Sequence, residues 1–424
     1  MRRNRSDRSR GFALLLTLAL LALLVLAVVG LATLVRVNSQ VASGGTFQLQ
    51  ARQNALLALD LAFSELQKHA GDDSRLTGTA GIAGVANLAA SQTRHWCGVW
   101  RADGTLVTWL ASGALNATSV AGEPIALVAN GSVGAASSTS ANVEKEHVIA
   151  GKIPLQVSET AGARGVGATV GKIAYVVMDE GGKISALAPV SERPVGSLAS
   201  FISGLMLTNQ VRLKTAIESN AAKLPAVLSY EQLALLPTPT LAQLTPSVLQ
   251  DTFHYVTLST RSVVGNQLVA GTINLNTSST LIWRCLLDLY NSTPGASMIP
   301  TSALATKGNA IGNGFAAATA GKSANGPFTS VANFEAYLNT AALFPAANSP
   351  NAAQIITALV PLLKVRSDTF RVRAYGETLN PVDGRIESGA FCEAIIQRTV
   401  EPAPNGLGRR FVVIYFRWLG PDDI

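Results

Sequence analysis

The first 36 residues carry the sharpest pattern in the chain. An arginine-rich head, Met1 to Arg10, meets Gly11-Phe12, and an apolar run then continues to Val35 without a charged side chain. As a helix, residues 12–35 would extend about 36 Å at about 1.5 Å per residue, enough to cross a hydrocarbon core of about 30 Å. Five arginines precede the run and only Arg36 follows closely, so the positive-inside bias predicts a cytoplasmic N-terminus and an exported remainder. Residues 1–11 thus read as a basic leader and 12–35 as one transmembrane helix. A cleavable secretory signal would have a shorter apolar core, about 7 to 15 residues, before a small-residue cleavage site, which Val41 and Ser43 could just supply. A plain signal anchor fits the same pattern.

Beyond the span, Gly44-Gly45 is expected to interrupt the helix, and a second helical pattern runs over residues 46–70. Leu56, Leu59, Phe63 and Leu66 step by three or four and share one stripe, making this an amphipathic continuation that Gly71 ends. Three hairpin signals follow. Trp96 to Arg101 and Thr105 to Trp109 flank Ala102-Asp103-Gly104. Ile173 to Met178 runs into Asp179-Glu180-Gly181-Gly182 and is expected to return through Lys183-Ile184. Thr369 to Tyr375 pairs with Ala390 to Ile396, and Arg410 to Trp418 forms a last strand. In Thr369 to Tyr375 the alternation of Phe370, Val372 and Ala374 with Arg371, Arg373 and Tyr375 predicts an apolar inner face and a basic outer face. Residues 71–190 therefore read as the first part of an antiparallel sheet, 191–365 as a mainly helical insertion including Leu213–Leu228 and Leu233–Leu249, and 366–424 as the sheet's C-terminal strands. The fold class is α+β, a long N-terminal helix packed on an antiparallel sheet.

Charge changes this picture little. Residues 1–10 hold five Arg and one Asp, a net +4, which leaves +3 of the overall +7 for the rest of the chain. No clustered basic face supports a nucleic-acid partner. Charged residues make up 14% of a chain rich in small residues, as suits export. Cys97, Cys285 and Cys392 lack a CxxC spacing; in an oxidising compartment one pair could form and one thiol would remain.

Catalytic motifs are sparse. Ala316 to Ser323 loosely fits a phosphate-binding loop with Lys322, but it lies in a Gly/Ala/Ser/Asn tract, Thr301 to Gly326, that reads as a flexible linker. The glycines at 162, 165, 167 and 171 miss dinucleotide spacing and precede a strand where that fingerprint follows one. His69, His95, His147 and His254 show no metal-ligand spacing. Asp179-Glu180 is better explained by turn chemistry than as a catalytic carboxylate pair, since neighbours on a strand point to opposite faces.

Arg10-Gly11-Phe12-Ala13-Leu14-Leu15-Leu16 resembles the start of type IV pilins and type II secretion pseudopilins. The resemblance implies that a prepilin peptidase cuts between Gly11 and Phe12 and methylates Phe12, and that the helix then serves as membrane anchor and packing spine against other pilin-like subunits. The fifth mature residue, Glu in most of the family, is Leu16 here; K-type minor pseudopilins also lack this Glu and are thought to sit at the filament tip. Tyr175 to Ile184 resembles their strand–Asp-Glu-x-Gly-Lys-Ile segment, and Ile273-Asn274-Leu275-Asn276-Thr277 their Asn-x-Asn-Thr segment. Pro327-Phe328-Thr329-Ser330, Phe334 to Leu338 and Ser367 to Arg373 follow in the family's order. Ala51 to Leu59, Glu65 to Lys68 and the ending Arg409 to Leu419 also resemble the uncharacterised Verru_Chthon cassette family of pilin-like proteins. The resemblance implies a single-pass inner-membrane subunit with a periplasmic or extracellular domain, in contact with lipid, that acts by assembly and needs no cofactor. Some K-type pseudopilins bind calcium, but no Asp-x-Asp-x-Asp-Gly run here names ligands. The alternative is an exported, membrane-tethered enzyme or binding protein that uses the leader only as an anchor.

Overall fold

The structure, a computed structural model, describes residues 7–83, 92–128, 148–157, 168–186, 210–220, 222–223, 227, 229–237, 253–258, 260–315, 317–318, 322, 326–340, 342–380 and 382–420. Helix α1 (Asp7–Ala70) runs uninterrupted for 64 residues. Gly44-Gly45 does not break it, contrary to the sequence expectation: a helical glycine costs only about 1 kcal/mol, and extending an established helix adds a hydrogen bond for each residue fixed. Gly71 does end it. A Cβ there would lie 2.1 Å from the Leu407 carbonyl oxygen. The open carbonyls of the last turn are taken up by cations, as the helix C-terminus favours: Arg366 donates to Ala70 O (3.2 Å) and Arg398 to Gly71 O (2.7 Å).

Five strands form the main sheet: β1 (Ile153–Val157), β2 (Ala168–Asp179), β3 (Thr369–Leu379), β4 (Ile386–Pro402) and β5 (Arg409–Leu419). Their spatial order is the chain order and every neighbouring pair is antiparallel. The insertion is thus threaded between two adjacent strands, with Tyr175 on β2 opposite Ala374 on β3. The inner third of α1 lies on one face of this sheet. Ala51, Ala55, Ala58, Ala62, Leu59 and Leu66 pack there against Val177, Val372, Ala394 and Ile396. The expected leucine stripe is only half right. Leu59 and Leu66 are buried, Phe63 is partly buried, and Leu56 faces outward. The inward row is mostly alanine because the backbones come very close: a Cβ on Gly376 of β3 would stand 2.2 Å from Ala55 N and 2.6 Å from Ala51 O.

The other face of the sheet corrects a second expectation. Arg371, Arg373 and Tyr375 do point away from the helix, but they are buried there beneath the insertion. The insertion has its own core, built from α2 (Gln210–Ser219), α3 (Tyr230–Ala234), α4 (Thr280–Asn291), α5 (Thr301–Gly314), α6 (Val331–Leu338) and α7 (Ala352–Leu359), and this core is continuous with Ala174, Val176 and Met178 of β2. The expected helix over Leu213–Leu228 ends at Ser219, and most of Leu233–Leu249 lies outside the described residues. The tract read as a flexible linker contains α5 and buries Leu304, Ile311 and Phe315. Lys183-Ile184 does not return along β2; Ile184-Ser185 pairs in parallel with Val256-Thr257 instead. The first and third hairpins form as expected, Cys97–Trp100 against Leu106–Trp109 and β3 against β4. All three cysteines are buried and none of them forms a disulfide.

Candidate functional site

Two features are candidates for function: the free length of α1 and the polar side chains that lock the insertion to the sheet. Along 12–46 every described side chain of the helix is exposed. Phe12 is 71% exposed and Leu16 58%. Gly11 and Phe12 lie within the first turns of α1, beyond the described start at Asp7. No acidic residue occurs between Asp7 and Asp60, and over 12–46 the surface is apolar to Val35 and small and polar beyond it, with Arg36 as its one charge. A helix that is apolar all round and packed on nothing demands a lipid or protein environment. It is the one helix among the described residues long and apolar enough to cross a membrane.

The motif residues that are scattered in sequence meet in space. Asn274 donates through Nδ2 to Asp179 Oδ2 (3.0 Å), Ser367 Oγ (3.1 Å) and Thr77 O (2.8 Å). Asp179 Oδ1 accepts from Gly182 N at 3.1 Å, which closes the turn after β2, and the Asn274 amide donates to Gly181 O at 2.7 Å. Two residues on, Asn276 accepts from Phe328 N (2.8 Å) and donates to Phe328 O (3.2 Å) and Val365 O (3.0 Å). The Asp-Glu-x-Gly-Lys, Asn-x-Asn-Thr, Pro-Phe-Thr-Ser and Ser-Asp-Thr segments are therefore one polar knot where the chain leaves β2 and re-enters at β3. The Asp179 carboxylate acts in turn chemistry, as the sequence indicated, whereas that of Glu180 is engaged by Arg371 and Lys183. Burial lifts Asp179 to about 6 in spite of the hydrogen bonds from Ser367, Asn274 and Gly182.

Beside the knot lies a charged layer on the sheet face under the insertion. Glu393 of β4 accepts from Arg371 Nη1 (2.7 Å) and Arg373 Nε (2.8 Å) of β3 and from Arg417 Nε (3.1 Å) of β5. Arg371 also donates to Glu180 Oε1 at 3.0 Å, and Lys183 pairs with the same carboxylate. Burial alone would raise both glutamates; Arg371 and Lys183 overcome it at Glu180 and bring it down to about 2, while the three arginines hold Glu393 well below the usual carboxylate range. Phe253 of the insertion lies against Arg371 (5.2 Å), Arg373 (4.7 Å) and Lys183 (4.7 Å), so an aromatic face roofs the cations. Every member except Arg417 is almost wholly buried. The arrangement is suited to clamping the insertion onto the sheet.

His147 and the glycines at 162, 165 and 167 lie outside the described residues; other sequence candidates take structural positions. Lys322, the lysine of the loose phosphate-loop match, is buried and donates to Phe315 O and Ala317 O; burial lowers it to about 8. His95 and His254 stack at 3.9 Å between centroids, a pairing that their separation in sequence gave no hint of. Among the described residues no group of three or more His, Cys, Asp or Glu side chains could hold a metal ion. Sequence reasoning missed the charged layer and the close helix–sheet approach. The signals were there: glycine inside a central strand at 376, alanines at 51, 55, 58 and 62, and Arg373 directly opposite Glu393 on neighbouring strands.

No protein-family model matches this chain, and no curated protein does. Among solved structures it is similar to a chain of the GspK-GspI-GspJ complex from the enterotoxigenic Escherichia coli type 2 secretion system, at 16% identity and a TM-score of 0.32, over 61% of this chain and 84% of that one.

Proposed function

We propose that the chain is a membrane-anchored, pilin-like minor pseudopilin that acts by assembly at the tip or in the initiating complex of a pilus or secretion pseudopilus. The carrying observation is α1: one continuous helix whose inner third is held on an antiparallel sheet while residues 12–46 protrude exposed, apolar as far as Val35. That geometry suits a helix that first sits in the inner membrane and later packs against the helices of other pilin-like subunits. The junction pattern at Gly11-Phe12 supports processing by a prepilin peptidase, with the domain after residue 36 on the periplasmic or extracellular side. Leu16 supports a minor, terminal place, since in most pilins a carboxylate there is thought to answer the N-terminal amine of a neighbour, and burying that amine unpaired is costly. The reading assigns no catalytic residue and no cofactor.

Mass spectrometry of the protein purified from membranes tests the processing. The expected N-terminus is Phe12 with a methylated amine; an intact Met1, or a start near Gly44, would overturn the pilin reading. Position is tested by quantifying copies per purified filament. One or a few copies are expected, and a fibre built mainly from this chain would refute the terminal assignment.

A further inference from the structure

The uninterrupted helix sets how high the folded domain stands above a bilayer that holds residues 12–35, and one rim of the sheet lies on the membrane side of it. β3 runs toward the N-terminal side of α1: Gly376 sits against Ala51 and Ala55, and two residues later Thr378 Oγ1 donates to Phe47 O at 3.3 Å. Ser388, opposite Thr378 on β4, reaches Gln48. Past this level the chain turns at Asn380–Arg385, where Asn380 N donates to Arg385 O (2.8 Å) and Gly384 N to Asn380 O (2.9 Å). At about 3.3 Å per strand residue this tip stands about 8 Å nearer the membrane than Phe47. That is level with about position 42 of the helix, about 10 Å from the end of the apolar span at Val35. The headgroup layer covers about 5–7 Å of that distance. An ordinary helix tilt of about 20° toward the domain lowers a sheet packed about 10 Å off the axis by about 3 Å, which closes the rest.

The side chains at this rim suit such a contact. Val382 at the tip is 92% exposed and Ile386 beside it 53%. Val157, 52% exposed, lies on the same rim by register, since it pairs with Ala168 while Gly171 of the same strand is already opposite Thr378. The charges nearby are answered locally, Arg385 by Asp383 (2.7 Å) and Glu387 by Asn380 (2.7 Å), so attraction to an anionic surface is not the driving term. We propose that Val382, Ile386 and Val157 form a membrane-facing rim that rests in the headgroup layer and holds the domain at a fixed lean while the subunit is in the bilayer. This rests on residues 12–35 being the membrane span.

The native cysteines are buried, so an introduced surface thiol can be labelled selectively. The full chain would be reconstituted in phosphatidylcholine vesicles carrying nitroxides in the headgroup or in the acyl chain. A fluorophore would be placed by Val382→Cys, by Glu401→Cys at the far end of the sheet, or by Leu24→Cys within the span. The expected result is headgroup quenching at 382 about threefold stronger than at 401, with acyl-chain quenching at 24. Equal quenching at 382 and 401, with 24 still quenched by the acyl-chain nitroxide, would overturn the rim and leave the anchor standing. Absence of acyl-chain quenching at 24 would overturn the anchor, and the rim with it.

Discussion

Glu393 ties three strands together with one carboxylate, because Arg371 and Arg373 come from β3, Arg417 from β5, and Glu393 itself from β4. Removing a single member of a buried ionic cluster leaves the rest uncompensated, so the cost is set by the stranded partners more than by the lost attraction. Glu393→Gln keeps the shape and removes the charge. It should destabilise the folded domain by about 3–5 kcal/mol, read as a lower urea midpoint with an unchanged slope. The same carboxylates set the acid response. Glu180 and Glu393 are both depressed in the folded state, so their stabilisation is present above the ordinary glutamate value of 4.5 and is lost as pH falls from there toward 2. Asp179 has the opposite sign: raised to about 6 from 3.8, it withdraws stability as pH climbs between those values. Urea midpoints should therefore rise from pH 2 to about 4.5 and then fall back in part by about 6, and Glu393→Gln should flatten the acid limb.

At the scale of elements, α5 shows why a Gly/Ala/Ser tract can be misread. Composition alone makes residues 301–326 look like a spacer, for which closure entropy changes only slowly with length, and deletion would then be tolerated. The small residues have another use. A Cβ on Gly308 would stand 2.8 Å from Arg284 N, and one on Gly312 2.7 Å from Ser278 O, so they let α5 lie almost in contact with the backbone of α4. Leu304, Ile311, Phe315 and Phe328 complete the packing of the insertion core. Deleting 301–326 should accordingly unfold the insertion, measured as loss of a cooperative melt and new protease sensitivity between β2 and β3. The same limit explains what was legible. Strong periods fixed the two halves of α1, though not their continuity through Gly44-Gly45, and with them β3 to β5 and the insertion's place between sheet strands. Alternation placed Arg371 and Arg373 on the face opposite Phe370 and Val372, but no periodicity states what covers a face, and the insertion that covers this one has little pattern of its own. The motif segments were visible; their convergence on Asn274 and Asn276 was not, because it joins residues about 90 positions apart.

The whole molecule is a sheet sealed on both faces by parts of the chain that arrive at different times. α1 comes first and covers one face, the insertion comes next and covers the other, and the three strands β3, β4 and β5 that complete the sheet come last. A chain stopped after Val365 would hold α1 with most of its alanine row uncovered and β2 without the partner that runs beside it from Gly171 to Asp179. It would also lack Arg371, Arg373 and Glu393, leaving Glu180 and Lys183 with only each other beneath Phe253. Each loss falls on a core that the remaining chain cannot rebuild, since Val372, Ala374, Ala394 and Ile396 are the surface on which α1 sits. Truncation after Val365 should therefore abolish cooperative melting of both the sheet and the insertion, by calorimetry and by near-ultraviolet circular dichroism of the tryptophans at 96, 100 and 283. An insertion that still melts cooperatively in the truncated chain would show that it folds as a module of its own and docks on the sheet only afterwards.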